Sequence, residues 1–231
     1  MIPFVSGVLS IIYGANFADF QDAVFFITIT SRVALVEFIE DVKNIVGYQM
    51  LVERFRQIRH GIAIDTSHGN VSEGRIKKWT TLIQMARDQT RILAESQKSR
   101  ELFFVLRCIV FVTLFLFILL NLPYNVHPVV FVFHIVWGIF SFMQLARLLL
   151  KTWMAETITS EESKIEKDII CIDTSRWDSS SSLQLKAAHD LIAQNPTQIS
   201  YGYVTFNKGV LKSVFNQVVT YLIVIMQLVE K

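Results

Sequence analysis

Charged residues are scarce in this chain of 231 residues. Asp, Glu, Lys and Arg make up 18% of it, against about 25% in soluble globular proteins. Hydrophobic residues make up 52%, and the mean hydropathy is +0.42. This composition argues against a soluble domain. The net charge of +2 does not indicate a nucleic-acid partner, because such partners select strongly basic surfaces.

Cysteines and catalytic motifs are also few. The two cysteines, Cys108 and Cys171, lie in an apolar and a polar segment, so we expect no disulfide framework. The chain has no Gly-rich phosphate loop, nucleophile elbow or paired-carboxylate motif. His127 and His134 are seven residues apart, a spacing that would place them on one face of a continuous helix. Pro128 lies between them, and no third metal ligand is near in the sequence. We therefore expect no enzyme activity, no metal and no cofactor.

Four long apolar segments predict an all-α integral membrane protein with four transmembrane helices and long cytosolic helical extensions. The first segment, 1–30, is a transmembrane helix that enters the cytosol. Met1–Ala18 carries no charge and as a helix spans about 27 Å, close to the bilayer hydrocarbon thickness. Asp19 and Asp22 leave two alternatives, a span that ends near Asp19 or one that extends to Thr30 with the acids facing protein.

The second region, 31–101, is cytosolic and helical, and it holds more than half of the 22 Lys and Arg residues. Apolar residues at helical spacing predict an amphipathic helix to about His60. A Gly-rich loop follows, and a second amphipathic helix begins near Arg75. That helix runs straight into a transmembrane segment, 102–122, where Arg107 can snorkel to the interface.

The rest of the chain contains two more spans. Lys151 and Trp153 are expected to anchor the end of the first of them at the membrane interface. The predicted segments are an extracellular loop at 123–128, a span at 129–153, a cytosolic segment at 154–205 with a short helix at 183–193, and a C-terminal pore helix at 206–229.

Positive charge sets the expected topology. Lys and Arg flank the spans on the sides of 31–101 and 154–205 and are absent from 123–128, so the positive-inside rule places both long segments in the cytosol. The C-terminus is then extracellular, and so is the visible N-terminus. An extracellular N-terminus without a leader peptide suggests that further spans precede Met1 in the natural protein.

The last helix carries polar residues that a simple anchor does not need. From Ser213 to Val229 there is no charged residue. Asn216, Thr220 and Gln227 recur at spacings of four and seven, and so form a polar line on one helix face. Two interpretations are open, a pore lining and polar contacts between helices of one bundle.

Residues 220–228, TYLIVIMQL, resemble the C-terminal signature of insect gustatory receptors. That signature is Thr-Tyr, five apolar residues, Gln and usually Phe. The preceding stretch from Leu185 through Pro196 to Tyr203, and the region 22–42, are also similar to that family. The resemblance covers spans four to seven of a seven-span receptor. Leu228 stands where the family usually has Phe, and the related odorant receptor co-receptor also ends in Gln-Leu.

The resemblance implies a multi-pass taste receptor in the plasma membrane. Its subunits form a tetramer that is a tastant-gated, non-selective cation channel. Its partners are a small-molecule tastant, the lipid bilayer and other receptor subunits in a homo- or hetero-tetramer. The membrane part of the last helix lines the pore. Val224 and Leu228 fall at the hydrophobic gate and Gln227 at the polar pore-facing position, with Asn216 and Thr220 deeper.

An aromatic cluster near the extracellular side is the candidate ligand site, because tastant pockets combine aromatic and a few polar groups. Its members are Tyr124, Phe131, His134 and Trp137, with core packing and lipid contact as the alternative. Two other functions are open, an odorant receptor co-receptor-like subunit and a non-channel membrane transporter or scaffold. A transporter would place ionisable residues within its spans.

Overall fold

The structure, a computed structural model, describes residues 20–67, 71–121, 128–175, 177–194 and 196–229. Nearly all of these residues are helical, which confirms the all-α class. The elements in chain order are α1 (Phe20–Ser67), α2 (Glu73–Leu120), α3 (Pro128–Ile170), α4 (Ser179–Gln194), the strands β1 (Ser200–Tyr201) and β2 (Val204–Thr205), and α5 (Lys208–Val229).

The chain forms two compact units, Met1–Val46 and Gly47–Lys231. The described part of the first unit is helical from Phe20 onward. Residues 1–19, most of the first predicted span, lie outside the described residues, and so does Asp19. Among the described residues, three helices are long and apolar enough to cross a membrane: α2, α3 from His134 onward, and α5 as far as Leu228.

The second half of α1 and the first half of α2 form an antiparallel helical hairpin. Near its turn, Asp65 accepts hydrogen bonds from the guanidinium of Arg75 and, at 2.9 Å, from Nε1 of Trp79. Farther from the turn, Gly47 lies against Leu93, where an added Cβ would be 3.4 Å from a methyl carbon. The two contacts fix which residues of α1 face which residues of α2.

Helix α1 continues beyond the end predicted for it. It ends at Ser67 rather than near His60, and Gly61 is an ordinary helical residue. A glycine inside a helix costs about 1 kcal/mol relative to alanine. The neighbouring Ile62 is buried, and the packing of such residues offsets that cost, because tertiary contacts routinely override propensity.

Helix α2 is a single helix from Glu73 to Leu120, as the sequence predicted. Its first half carries the charged residues, and its second half is the apolar segment predicted as a span. One buried stripe follows the whole helix, and it includes Ile76, Ile83, Ala94, Val105 and Val112. The helix therefore connects the polar and apolar parts of the fold without a break.

Helix α3 also extends beyond its apolar segment, which the sequence did not predict. The stretch after residue 153 was expected to hold only one short helix, but α3 continues to Ile170. Ile158, Ile165 and Ile169 are almost completely buried, and their spacings of seven and four place them on one helix face. Charged residues between these isoleucines hide this apolar face in the sequence.

The apolar parts of α2 and α3 pack closely together. Gly138 of α3 approaches Phe115, and an added Cβ would lie only 2.9 Å from a ring carbon. Trp137 stacks on Phe111 with ring centroids 5.0 Å apart. The absence of a side chain at Gly138 thus lets the two helices approach at this level.

A buried ion pair joins α2 and α3 where the apolar segment of α2 begins and that of α3 ends. Nζ of Lys151 lies 2.7 and 2.9 Å from the two carboxylate oxygens of Glu101, and both residues are almost fully buried. The same ammonium lies 4.2 Å above the ring of Phe104. Lys151 is thus not the interface anchor predicted for it, because Glu101 draws it into the helix contact. Trp153 is exposed.

Helix α4 is held against α2 and α3 by one arginine. Nε of Arg87 lies 2.7 Å from the buried Glu162, and its terminal nitrogens donate to the backbone carbonyls of Leu191 and Ile192 at 3.0 and 3.4 Å. These carbonyls belong to the last turn of α4, which has no intrahelical partner for them. Arg87 therefore joins three helices through one guanidinium.

Helix α4 begins before the start predicted at residue 183. Its first turn is a run of serines from Ser179, and Ser181 is buried there. Leu183 is 67% exposed. The buried stripe is Ser181, Leu185, Ala188 and Ile192.

Replacement of Arg87 by alanine tests this junction. The change leaves Glu162 buried without its cation, so we expect the fold to lose about 3–5 kcal/mol. Arg91→Ala is the matched control, since Arg91 forms an exposed pair with Asp88 on the same helix and should cost less than about 1 kcal/mol. Thermal unfolding of the purified protein measures both, and equal midpoints for the two variants would contradict this role.

Candidate pore-lining site

The start of α5, the helix predicted to line a pore, is fixed by two side chains. The side-chain oxygen of Asn207 accepts a hydrogen bond from the amide of Val210 at 3.3 Å, as an N-cap does. Glu156 of α3 accepts from the amide of Lys208 at 2.8 Å and pairs with its ammonium at 3.2 Å. A carboxylate at a helix N-terminus is favoured by the helix dipole.

A short β-hairpin leads into α5. Tyr201 pairs with Val204, and the turn between them contains Gly202 with a φ of +71°. A two-residue turn with glycine in this conformation at its first position is a type II′ turn, which suits tight hairpins. The hairpin reverses the chain and directs it towards α5.

Tyr201 is the buried centre of this region. Its hydroxyl hydrogen-bonds with that of Tyr48 from α1, and its ring meets Phe206 edge-on with centroids 4.9 Å apart. Burial, and then the neighbouring Tyr48 and Glu101, raise the pKa of Tyr201 far above its usual range. The hairpin before α5 is therefore attached to α1 through a neutral phenol.

Among the described residues, the buried positions of helix α5 all lie in its first half. Val210, Val214 and Val218, each four residues apart, are buried, and α5 contacts α2 and α3. From Val219 to Leu228 no residue is buried. Within the residues that the structure describes, the outer half of α5 is thus uncovered.

The three predicted gate residues lie in this uncovered half. Val224 is 46% exposed, Leu228 is 70% exposed and Gln227 is also exposed. At about 100° per residue, the three directions span roughly 100° around the helix. All three are therefore exposed, with Gln227 directed away from the side of the buried valines and Leu228 directed towards that side, beyond the last buried valine.

The predicted polar line includes Gln227 and runs along one side of α5. Asn216, Thr220 and Gln227 are exposed, and their helical directions fall opposite the stripe of buried valines at positions 210, 214 and 218. The hydroxyl of Thr220 donates to the backbone carbonyl of Asn216 at 2.8 Å. In the described part of the chain, these side chains make no hydrogen bond to another helix.

This arrangement has defined chemical possibilities once several copies surround an axis. Rings of Val224 and Leu228 side chains can close a narrow passage by excluding water. A ring of Gln227 amides offers oxygen atoms to a passing cation. No acidic residue lies in the outer half of α5, so such a pore would not hold a fixed negative charge there.

The predicted ligand cluster is described only in part. Tyr124 lies outside the described residues, and so does the side chain of Phe131. His134 is half-buried, and Trp137 is buried against Phe111. Trp137 therefore packs between α2 and α3.

A metal-ligand cluster is not found either. Among the described residues, no group of three His, Cys, Asp or Glu side chains lies close enough to hold a metal ion.

Two residues that support α5 were missed by the sequence interpretation. Glu156 was one acid in a polar stretch, and Tyr201 was read only as part of the lead-in to the last span. The sequence held only weak signs of these roles. A carboxylate is favourable near a helix N-terminus, and an aromatic residue before a glycine is typical of a hairpin strand. Their pairing with distant residues has no local signature.

Comparison with known proteins does not assign the chain to a family. No protein-family model matches it, and no curated protein sequence matches it either.

The buried phenol of Tyr201 makes a pH-dependent prediction. Since its folded pKa is raised, Tyr201 contributes stability that is fully present below about pH 10 and is lost as the pH rises further. Up to pH 11, we expect the increase in phenolate absorbance with pH to be the same in the native protein and in the Tyr201→Phe variant, because Tyr201 does not ionise in the folded state. A smaller absorbance change in the variant would show that Tyr201 ionises in the folded state and would contradict the buried position.

Proposed function

We propose that this chain is the C-terminal part of a gustatory receptor subunit that forms a tastant-gated, non-selective cation channel. The resemblance of residues 220–228 to the insect gustatory receptor signature supports the family. The uncovered outer half of α5 supports the channel. In this proposal Val224 and Leu228 form the gate, and Gln227 lines the pore beside it.

The observation that carries the proposal is the exposure of an apolar helix face that includes aligned polar side chains. The anchored half of α5 buries three valines, while the outer half leaves Val224 and Leu228 exposed. A helix that only faced lipid would not need Gln227 on that side, because an amide in hydrocarbon without a partner costs several kcal/mol. Copies of α5 around a water-filled axis satisfy both kinds of residue.

The proposed topology follows from the positive charges near the spans. Lys208 and Lys212 lie at the anchored end of α5, and this end is cytosolic by the positive-inside rule. Gln227 then lies near the extracellular mouth, and the C-terminus is extracellular. The protein is a multi-pass protein of the plasma membrane, and its subunits assemble as homo- or hetero-tetramers.

The charged residues near the spans favour a channel over a transporter. A transporter places ionisable groups along its substrate path near the middle of the membrane. Glu101 and Lys151 instead lie at the start of the apolar segment of α2 and the end of that of α3, and they neutralise each other at 2.7 Å. They hold helices together, which fits a scaffold around a pore helix.

Substitutions on the two sides of the outer half of α5 test the pore. In a full-length receptor expressed in cells, Val224→Ala widens the closed gate, so we expect a cation current without tastant. Gln227→Ala removes the amide ring and should change the preference among monovalent cations. Ile225→Ala is the matched control, because Ile225 is half-buried on the side that faces its own chain.

Patch-clamp recording gives the readout for these variants. Currents with unchanged size and ion preference in both Val224→Ala and Gln227→Ala would refute the pore assignment. A change in Ile225→Ala alone would place the functional face on the opposite side of α5.

The 231 residues by themselves should not respond to tastants. The proposed receptor has three more spans before this part, and these contribute to the ligand pocket and the helix bundle. We expect no tastant-evoked current when only this chain is expressed and reaches the cell surface. A robust tastant-evoked current from it would contradict the assignment to spans four to seven.

A further inference from the structure

A cavity of about 400 Å³ lies in the α1–α2 hairpin. It is formed by residues 54–65 of α1 and 78–89 of α2, in the charged part of both helices and well before the apolar segment of α2. The volume falls within the range of about 300–1,000 Å³ that small-molecule sites occupy. No residue of α5 lines the cavity.

The cavity has an excess of positive charge. Arg54, Lys78 and Asp65 line it, but Asp65 is already engaged by Arg75 and Trp79. In the described part of the chain, neither Arg54 nor Lys78 has a carboxylate within ion-pair distance, whereas most neighbouring cations do. The charge of the cavity is therefore available to an anion.

Two amide side chains supply further polar groups. Gln57 and Gln89 both line the cavity, and the Oε1 atom of Gln89 is buried without a hydrogen-bond partner. The NH2 group of each of these amides can donate hydrogen bonds to an anion in the cavity.

The rest of the lining is apolar. Leu82 is 38% exposed and Met85 is 54% exposed, with Ile58 beside them in the cavity wall. Methionine adapts its shape to different apolar partners. The site thus offers an apolar surface next to cationic and amide groups, which is complementary to an amphiphilic anion.

The antiparallel pairing of α1 and α2 sets the position of each of these groups along the cavity. Gly47 faces Leu93, and Asp65 faces Arg75 and Trp79, so Lys78 lies at the end near Asp65. Arg54 lies at the opposite end, on the side of Gln89. A guanidinium with amides beside it is the stronger anion-binding end, because it can donate two parallel hydrogen bonds to one phosphate or carboxylate.

We propose that this cavity binds a small amphiphilic anion. Its phosphate or carboxylate group contacts Arg54 and the amides of Gln57 and Gln89, and its apolar body rests on Leu82 and Met85. Lys78 adds attraction from the other end without a direct bond. The site is independent of the proposed channel function.

Three probes test the site on the purified chain in detergent. The second and the third each lack one feature of the first. The first is 1-naphthyl phosphate, which has the anion and the apolar body. The second is 1-naphthol, which lacks the anion, and the third is inorganic phosphate, which lacks the body. Calorimetric titration, with protein-free micelles as the blank, should show saturable binding of 1-naphthyl phosphate, at least tenfold tighter than that of either partial probe.

Variants identify the residues that bind. Arg54→Gln should weaken 1-naphthyl phosphate about tenfold or more, since it removes a charge-assisted hydrogen bond. Lys78→Gln should weaken it only about two- to threefold through the lost long-range attraction. Arg91→Gln is the matched control, because Arg91 does not line the cavity and pairs with Asp88. All three positions are exposed, so we expect the variants to fold.

Several results would overturn the proposal. Absence of saturable 1-naphthyl phosphate binding, equally tight binding of 1-naphthol, or unchanged affinity in Arg54→Gln would each do so. An equal loss of affinity in Arg91→Gln would show that the probe responds to surface charge in general, and that result also rejects the site.

Discussion

The ion pair between Glu101 and Lys151 is the constraint on which the arrangement of the long helices depends. Two opposite charges are almost completely buried where the polar and apolar parts of α2 and α3 meet. Burial of either charge alone would cost several kcal/mol, so the helices are stable only in the register that brings both together. That register also places the backbone of Gly138 against Phe115 and sets the surface on which α4 and α5 pack.

Other polar contacts extend this constraint to the last helix. Arg87 ties α4 to α2 and α3, Tyr201 attaches the hairpin to α1, and Glu156 fixes the first turn of α5. Glu156 and Tyr201 act at the anchored end of α5, and none of the three residues contacts its outer half. The chain thus fixes one end of an apolar helix firmly and leaves the other end for contacts that a single copy does not provide, which is why we place the pore there.

Periodicity and charge predicted the coarse fold well. The continuous α2 could be foreseen because its buried stripe persists from the charged half into the apolar half. The extension of α3 could not, since Ile158 and Ile165 lie among charged residues that obscure the pattern. The exposed, aligned positions of Asn216, Thr220 and Gln227 followed from their spacing. The support from Glu156 and Tyr201 depends on partners far away in sequence, which no local pattern reveals.

Contact between copies of α5 is the central claim, and disulfide cross-linking tests it most directly. Cysteine replaces Val224 in one variant and Ile225 in another, in a background where the exposed Cys171 is serine and the buried Cys108 is kept. After mild oxidation of the receptor in membranes, the account predicts covalent dimers with Val224→Cys and few or none with Ile225→Cys. No cross-link with Val224→Cys, or equal yields from the two positions, would contradict it.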